Sequence, residues 1–210
     1  MLSRRFLVPV ILFIFGVASA HVAHSDSSQD AANFVNEFGQ RAIAALKAPN
    51  ISNTEVTKRF RALFDEGFDV PFIARSALGH FWIRASEEER AQYIPLFEDY
   101  VVEIYSPQFR EYQIKAFTAR SAYAGANNLA HVFCDLVNPD GSVVKLEWTV
   151  ANVDGKPKIR DIKVEGVSMI TTFRDQFAAE ILQNNGKIVG LLNILREKTA
   201  SLRAHVAGND

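Results

Sequence analysis

Cys134 and His131 are the one cysteine–histidine pair close enough in sequence to suggest a thiolate paired with an imidazole. Val132, Cys134 and Leu136 alternate with more polar neighbours, so this segment reads as a strand. Residues three apart on a strand point to opposite faces. Cys134 is therefore expected to be a buried structural thiol. The five histidines are His21, His24, His80, His131 and His205, and none forms the i, i+4 pair that holds a metal on a helix. His21 and His24 lie in a polar segment that offers no further ligand. Ser168 stands in G-V-S-M, which is not a nucleophile elbow. Gly125 and Gly141 are turn glycines, and no phosphate-cradling loop is present. Glu87, Glu88 and Glu89 suit the positive end of a helix dipole. Two carboxylates, Asp135 and Asp161, keep one enzymatic alternative open. On a cone-shaped α+β scaffold a buried carboxylate with a raised pKa can do acid–base work. Both, however, fall on the strand parity opposite to the apolar face, which reads as surface or edge. No catalytic residue, metal set or cofactor site is assigned.

The elements that would position these groups follow from periodicity. A helix is expected over about 30–47, with Phe34, Phe38, Ala42 and Leu46 on one stripe, and the preceding residues 21–29 are expected to be loose. A second helix runs from about 54 to 66 with Val56, Phe60, Leu63 and Phe64. Asp69 caps a third, Pro71 lies in its first turn, and Gly79 stops it. Ser86 to Glu89 is a capping box for a helix reaching about Tyr105, with Pro95 inside as a kink. Tyr93, Phe97, Tyr100 or Val101, and Ile104 form its apolar face. From about Gln113 the period falls to two. Strands are expected over 113–117, 129–138, 144–150 and 158–165, with 120–123 a further candidate and turns at Pro139-Asp140-Gly141 and Asp154-Gly155. In the last strand Ile162 and Val164, with Arg160 near the edge, are assigned to the buried parity. Ile159, Asp161 and Lys163 take the other. Val164 to Phe177 then reads as strand, turn and helix, with freedom at Gly166, a cap at Ser168, and Ile170, Phe173 and Phe177 on one face. One or two helices fill 168–204, with a break at Asn184-Asn185-Gly186. The fold class is α+β: helices packed on a curved antiparallel sheet of about four strands around an apolar cavity.

Composition narrows the function classes. Residues 1–20 carry Arg4 and Arg5, an uncharged apolar run over 6–17, and Ala18-Ser19-Ala20. These are the parts of a secretory signal cleaved after Ala20, and the run is short for a membrane span. Residues 21–210 are then the working domain: helical over 30–110, sheet over 113–166, helical again over 168–204. Without Arg4 and Arg5 there are 21 basic and 24 acidic side chains, which gives no electrostatic footprint for nucleic acid. A single cysteine excludes an internal disulfide, so packing alone holds the domain in an oxidising compartment. Thirteen of the 16 phenylalanines lie beyond residue 20, enough for a large core or for the wall of a site for apolar ligands.

Two blocks carry a resemblance. V-E-G-V-S-M-I-x-x-F-R-x-Q-F, residues 164–177, and F-D-V-P-F-I-A-R-S-A-L-G-H-F-W, residues 68–82, stand in order with A-S-E-E-E-R and F-E-D-Y-V-V-E-I-Y (97–105) between them. Together they resemble the MlaC-type family of periplasmic phospholipid-binding proteins, the toluene-tolerance auxiliary components of an ABC transport system. The resemblance implies a lipid held by its tails in an apolar cavity. It implies shuttling between an inner-membrane ABC complex bearing an MCE-domain protein and an outer-membrane lipoprotein complex. A carrier of another lipid, such as a hopanoid, is the alternative within the same reading. The expected lining is Leu146, Trp148, Val150, Ile162 and Val164 from the sheet. Phe72, Ile73, Phe97 and Val101 come from the helices, and Ile170 and Phe173 from the joint. Arg75 and Arg174 are expected to pair with Asp69 or Glu165, or to meet a phosphate at a cavity mouth.

Overall fold

The computed structural model describes residues 23–111 and 114–208. The expected signal segment, residues 1–20, and the expected strand start at Gln113 lie outside them. The helices are α1 (Ala23–Leu46), α2 (Asn53–Gly67), α3 (Val70–Leu78), α4 (Phe81–Arg84) and α5 (Glu87–Glu111), then α6 (Met169–Gln183) and α7 (Ile188–Gly208). Between α5 and α6 lies an antiparallel sheet of β1 (Ala116–Ala124), β2 (Leu129–Val137), β3 (Val143–Val153), β4 (Lys156–Val164) and β5 (Val167–Ser168), in chain order.

Local signals set most boundaries. Ser52 accepts from the Glu55 amide and opens α2. Asp69 accepts from the Phe72 amide at 3.3 Å and opens α3. Ser86 and Glu89 close a reciprocal capping box at 3.1 and 2.8 Å. The helix it starts continues through Pro95 and on to Glu111. α1 begins at Ala23, earlier than the apolar stripe alone suggests. Asp154 and Gly155 both have positive φ, the geometry of a two-residue hairpin whose twist matches its strands. Glu165 and Gly166 do the same, at φ 50 and 82. The chain at Gly166 therefore doubles back as β5 instead of leaving the sheet, which adds a fifth strand.

The apolar face of the sheet carries Val132, Cys134, Leu146, Trp148, Val150 and Ile159, and α1 covers it with Ala31, Val35 and Phe38. Register places Trp148 between Val132 and Ile162. A bulge interrupts β4: Thr149 pairs Asp161, whereas Val150 pairs Ile159. The extra residue, Arg160, shifts the alternation, so Ile159 and Ile162 both face inward. The strict two-residue period that assigned Ile159 to the outer face is corrected by this one insertion. β1 has a matching bulge at Arg120. Both extra arginines have acid partners: Arg120 meets Asp135 at 2.6 Å, and Arg160 meets Asp69 at 2.9 Å.

The helices form a second core. Tyr93, Phe97, Tyr100 and Val101 of α5 pack on Ile73 and Ala77 of α3, on Ile170, Phe173 and Phe177 of α6, and on Leu191 and Leu195 of α7. The Tyr93 hydroxyl, buried here, donates to the Ala74 carbonyl at 3.0 Å. On one side Arg61 joins Glu98 and Asp99, and Arg203 joins Asp99 and the buried Glu103, tying α2, α5 and α7 together.

Two seams hold the halves. In the first, α6 starts on the sheet: Ser168 Oγ donates to Asp161 at 2.6 Å and the Ile170 amide donates to it at 3.2 Å. The second links β4 to the α2–α3 elbow. Lys158 Nζ donates to the Asp65 and Glu66 carbonyls, the last turn of α2. The Asp69 amide donates to Ile159 O at 2.9 Å, and Phe68 bridges to Ile159.

Candidate functional site

No group of three or more His, Cys, Asp or Glu side chains is placed to hold a metal ion among the described residues. Cys134 lies on the inner face, and burial, aided by the Asp135 charge, pushes its thiol up to about 12. The thiolate nucleophile is thus scarce at neutral pH. His131 lies on the outer face, stacked on Tyr123 and bonded to Glu147 at 2.9 Å. Burial pushes the Glu147 carboxyl up, but hydrogen bonds and charges from Lys163 and His131 outweigh that and hold it below the usual carboxylate range. Asp135 is engaged by Arg120, and Asp161 anchors the start of α6. Neither faces the apolar interior, as their parity predicts.

What the residues do build is a contiguous file of phenyl rings. Phe34 and Phe38, four apart on α1, meet at 5.8 Å. Phe38 meets Phe68 edge-on at 5.9 Å, and Phe68 meets Phe64 at 4.8 Å. Phe64 stacks on Phe60 at 6.4 Å, and Phe60 meets Phe109 at 5.6 Å. The file runs from the sheet side to α5 without a polar break. Phe68 packs against both cores, so the file lies along their boundary. Phe38 fits because Gly67 has no side chain where its ring lies. Gly67→Ala should therefore displace that ring. Alanine normally helps a helix by about 0.5–1 kcal/mol relative to glycine. Overpacking costs about 1–3 kcal/mol. A net loss of about 1–2 kcal/mol is expected in urea unfolding, with an unchanged m value.

The expected lining residues divide between the two cores instead of forming one wall. Ile73, Phe97, Val101, Ile170 and Phe173 belong to the helical core; Leu146, Trp148 and Val150 belong to the sheet core, with Ile162 beside it. Phe72 and Val164 are corrected to surface positions, 39 % and 37 % exposed. Phe72 instead carries the Arg160 guanidinium 4.3 Å above its ring. Val164 keeps the inner parity but sits at the end of β4, beyond the cover of α1. Arg75 and Arg174 form no ion pair among the described residues. Arg160 takes Asp69, Glu165 accepts from the Lys145 amide at 2.6 Å, and Arg174 donates to the Ser76 carbonyl at 3.1 Å.

Among the described residues, clefts open at the surface in at least two places. One, of about 380 Å³, lies between α5, α6 and α7 and has Tyr100, Gln176, Glu180 and Lys198 in its wall. Another, of about 240 Å³, lies between α1 and β1, lined by Gln40, Ile43, Ala44, Ile114, Lys115, Ala116 and Phe117. None of the expected lining residues borders either. Behind Phe117 stands Trp148, with ring centroids 5.9 Å apart. Its indole nitrogen is buried without a hydrogen-bond partner; Thr199 Oγ1 on α7 is in the same position.

A family model described as "MlaC protein" matches residues 36–197. The chain belongs to the MlaC family. That match runs from the second half of α1 through the whole sheet to the first half of α7, so it takes in residues of both cores. One relative is the toluene tolerance protein ttg2D of Pseudomonas putida, 28% identical over 103 residues. The match spans 49% of this chain and 47% of that protein, about half the length of each. Among solved structures, a phospholipid-binding protein from Ralstonia solanacearum, in complex with a phospholipid, superposes with a TM-score of 0.71. It is 22% identical and the superposition covers 82% of this chain and 98% of that one, so the two share an α+β fold, here with an open antiparallel sheet.

The phenylalanine file was readable only in pieces. Phe34 with Phe38, and Phe60 with Phe64, stand out by four-residue spacing. Phe68 continues the second series, but it falls just past the end of α2. Its role at the boundary depends on the β4 seam, which no local pattern announces.

Proposed function

We propose that this chain is a lipid carrier that takes a phospholipid by its acyl chains along the phenylalanine file, between the sheet core and the helical core. The file carries the reading: contiguous rings at a boundary between two separately packed cores, with the Arg41 guanidinium over the Phe38 ring. Acyl chains entering there part existing apolar contacts and replace them. An acyl chain of about sixteen carbons, at ~0.8 kcal/mol per CH₂, is worth roughly 12 kcal/mol against water. A carrier needs only to match the burial that a bilayer gives, and directed transfer then rests on small differences. Family membership and the phospholipid held by the Ralstonia structure support this reading, as does the engagement of both candidate carboxylates in structural pairs.

The fuller form places the protein in the periplasm after cleavage at Ala20. There it shuttles lipid between an inner-membrane ABC complex with an MCE-domain protein and an outer-membrane lipoprotein complex. Membership of the MlaC family and the leader-like residues 1–20 support that placement. The test is mass spectrometry of organic extracts from protein purified from its native compartment, with the N-terminus sequenced in parallel. Phospholipid in the extract and an N-terminus at His21 are expected. Extracts free of any lipid would overturn the carrier reading, and a hopanoid in place of phospholipid would change its cargo.

A further inference from the structure

Trp148 is the least satisfied polar group on the inner face of the sheet. Its side chain is on the central strand β3, only 8 % exposed, and opposed by Val132 and Ile162. Its Nε1–H has no acceptor among the described residues, whereas buried donors in folded proteins are nearly always paired. An indole in a purely apolar role would be replaceable by phenylalanine at no polar cost. Here the donor stands beside the Phe117 ring that helps to line the cleft between α1 and β1. Gly39 on α1 leaves the space in which that ring rests. Lys115, exposed at the same cleft, places a cation at its mouth.

We infer that the Trp148 indole N–H is a hydrogen-bond donor to an acyl-ester carbonyl of the bound lipid, reached through the cleft between α1 and β1. This deepens the carrier reading and rests on it. The exposed Lys115 and the half-buried Phe117 line the cleft, and the Phe117 ring meets the buried indole, which gives a series of cation, phenyl ring and donor. That matches the order of a glycerophospholipid: anionic phosphate, glycerol, ester carbonyls and then hydrocarbon. The ester is the last acceptor a lipid offers before its chains, and an apolar wall could not recognise it. A matched donor makes the site prefer ester-linked over ether-linked chains. One ordinary hydrogen bond to a buried partner corresponds to roughly tenfold in affinity.

The test compares dipalmitoyl phosphatidylglycerol, its dihexadecyl-ether analogue and free palmitate on delipidated, ¹⁵N-labelled protein. The chain has two tryptophans, so the Trp82→Phe variant assigns the indole cross-peaks. The Trp148 cross-peak is expected to move downfield with the ester lipid and to stay with the ether lipid. The ester lipid should bind about tenfold more tightly, and Trp148→Phe should abolish that preference while still binding both. Equal affinity for ester and ether lipid in the wild type would overturn the inference and leave the carrier reading intact. A palmitate shift as large as the ester's would assign the acceptor to a carboxylate and overturn it as well. Failure of both phospholipids to bind would defeat the carrier reading itself. The wild-type cross-peak decides the matter even if Trp148→Phe does not fold.

Discussion

Phe97→Ala is expected to lower the unfolding free energy by about 3–5 kcal/mol, the range for emptying a fully buried aromatic site. Phe97 is 0 % exposed. It meets Phe173 at 5.5 Å and Phe177 at 6.1 Å, both edge-on, and Tyr93 at 5.9 Å. Three ring contacts are lost together, and each such pair is worth about 0.5–1.5 kcal/mol beyond burial. The neighbours come from α5 and α6, which are held by the rest of the core, so the space cannot close cheaply. Phe72→Ala, in contrast, should lose only the guanidinium contact and part of one ring's burial, about 1 kcal/mol. Urea unfolding of the two variants side by side is the check. A loss below about 1 kcal/mol for Phe97→Ala would mean that the helical core is loosely packed.

Removal of bound lipid should lower the melting temperature by roughly 5–10 °C and re-addition should restore it. A ligand present at about 100 times its dissociation constant stabilises the folded state by about 2.7 kcal/mol. A domain of this size shifts by about 2–4 °C per kcal/mol. Calorimetry on as-purified, delipidated and reloaded protein measures this directly. Reloading with phospholipid at saturating concentration and finding no shift would mean that lipid does not bind the folded form preferentially. The same samples locate the effect: backbone exchange should slow on loading in α1 and at the end of α2, where the phenylalanine file runs.

The class of fold was legible because its two periods are clean. Helix stripes such as Tyr93, Phe97 and Val101, and the alternation of Leu146, Trp148 and Val150, report burial directly. Caps at Asp69, Ser86 and Ser168 mark helix starts through side-chain chemistry that any reader of the chain can see. What escaped was of two kinds. Bulges at Arg120 and Arg160 each insert one residue, and a single insertion inverts the parity of everything beyond it; this is why Ile159 was assigned to the wrong face. Pairings between distant segments also escaped, since Lys158 with the last turn of α2, or Arg160 with Asp69, depends on how β4 docks and on no local pattern. The candidate site suffered from both. Its expected wall assumed one continuous interior, whereas the interior is two cores with phenyl rings along their boundary. Phe72 illustrates the limit: an apolar residue in a helix stripe reads as buried, although its ring in fact serves as a platform for an arginine.

The cover that α1 places on the sheet has a temporal side. Phe38 and Trp148 belong to the same core but lie far apart in the chain, and synthesis delivers the N-terminal residues first. At about 5–20 residues per second, the roughly 110 residues between them take some 5–20 s to appear. The meander can close strand by strand as it emerges, since neighbours in space are neighbours in sequence. Its helical cover is made earliest and packs first on β1 and β2, before Trp148 of β3 arrives to complete the core. The nascent protein therefore passes through a stage in which α1 lies on an unfinished sheet and Phe38 awaits the strand that carries Trp148.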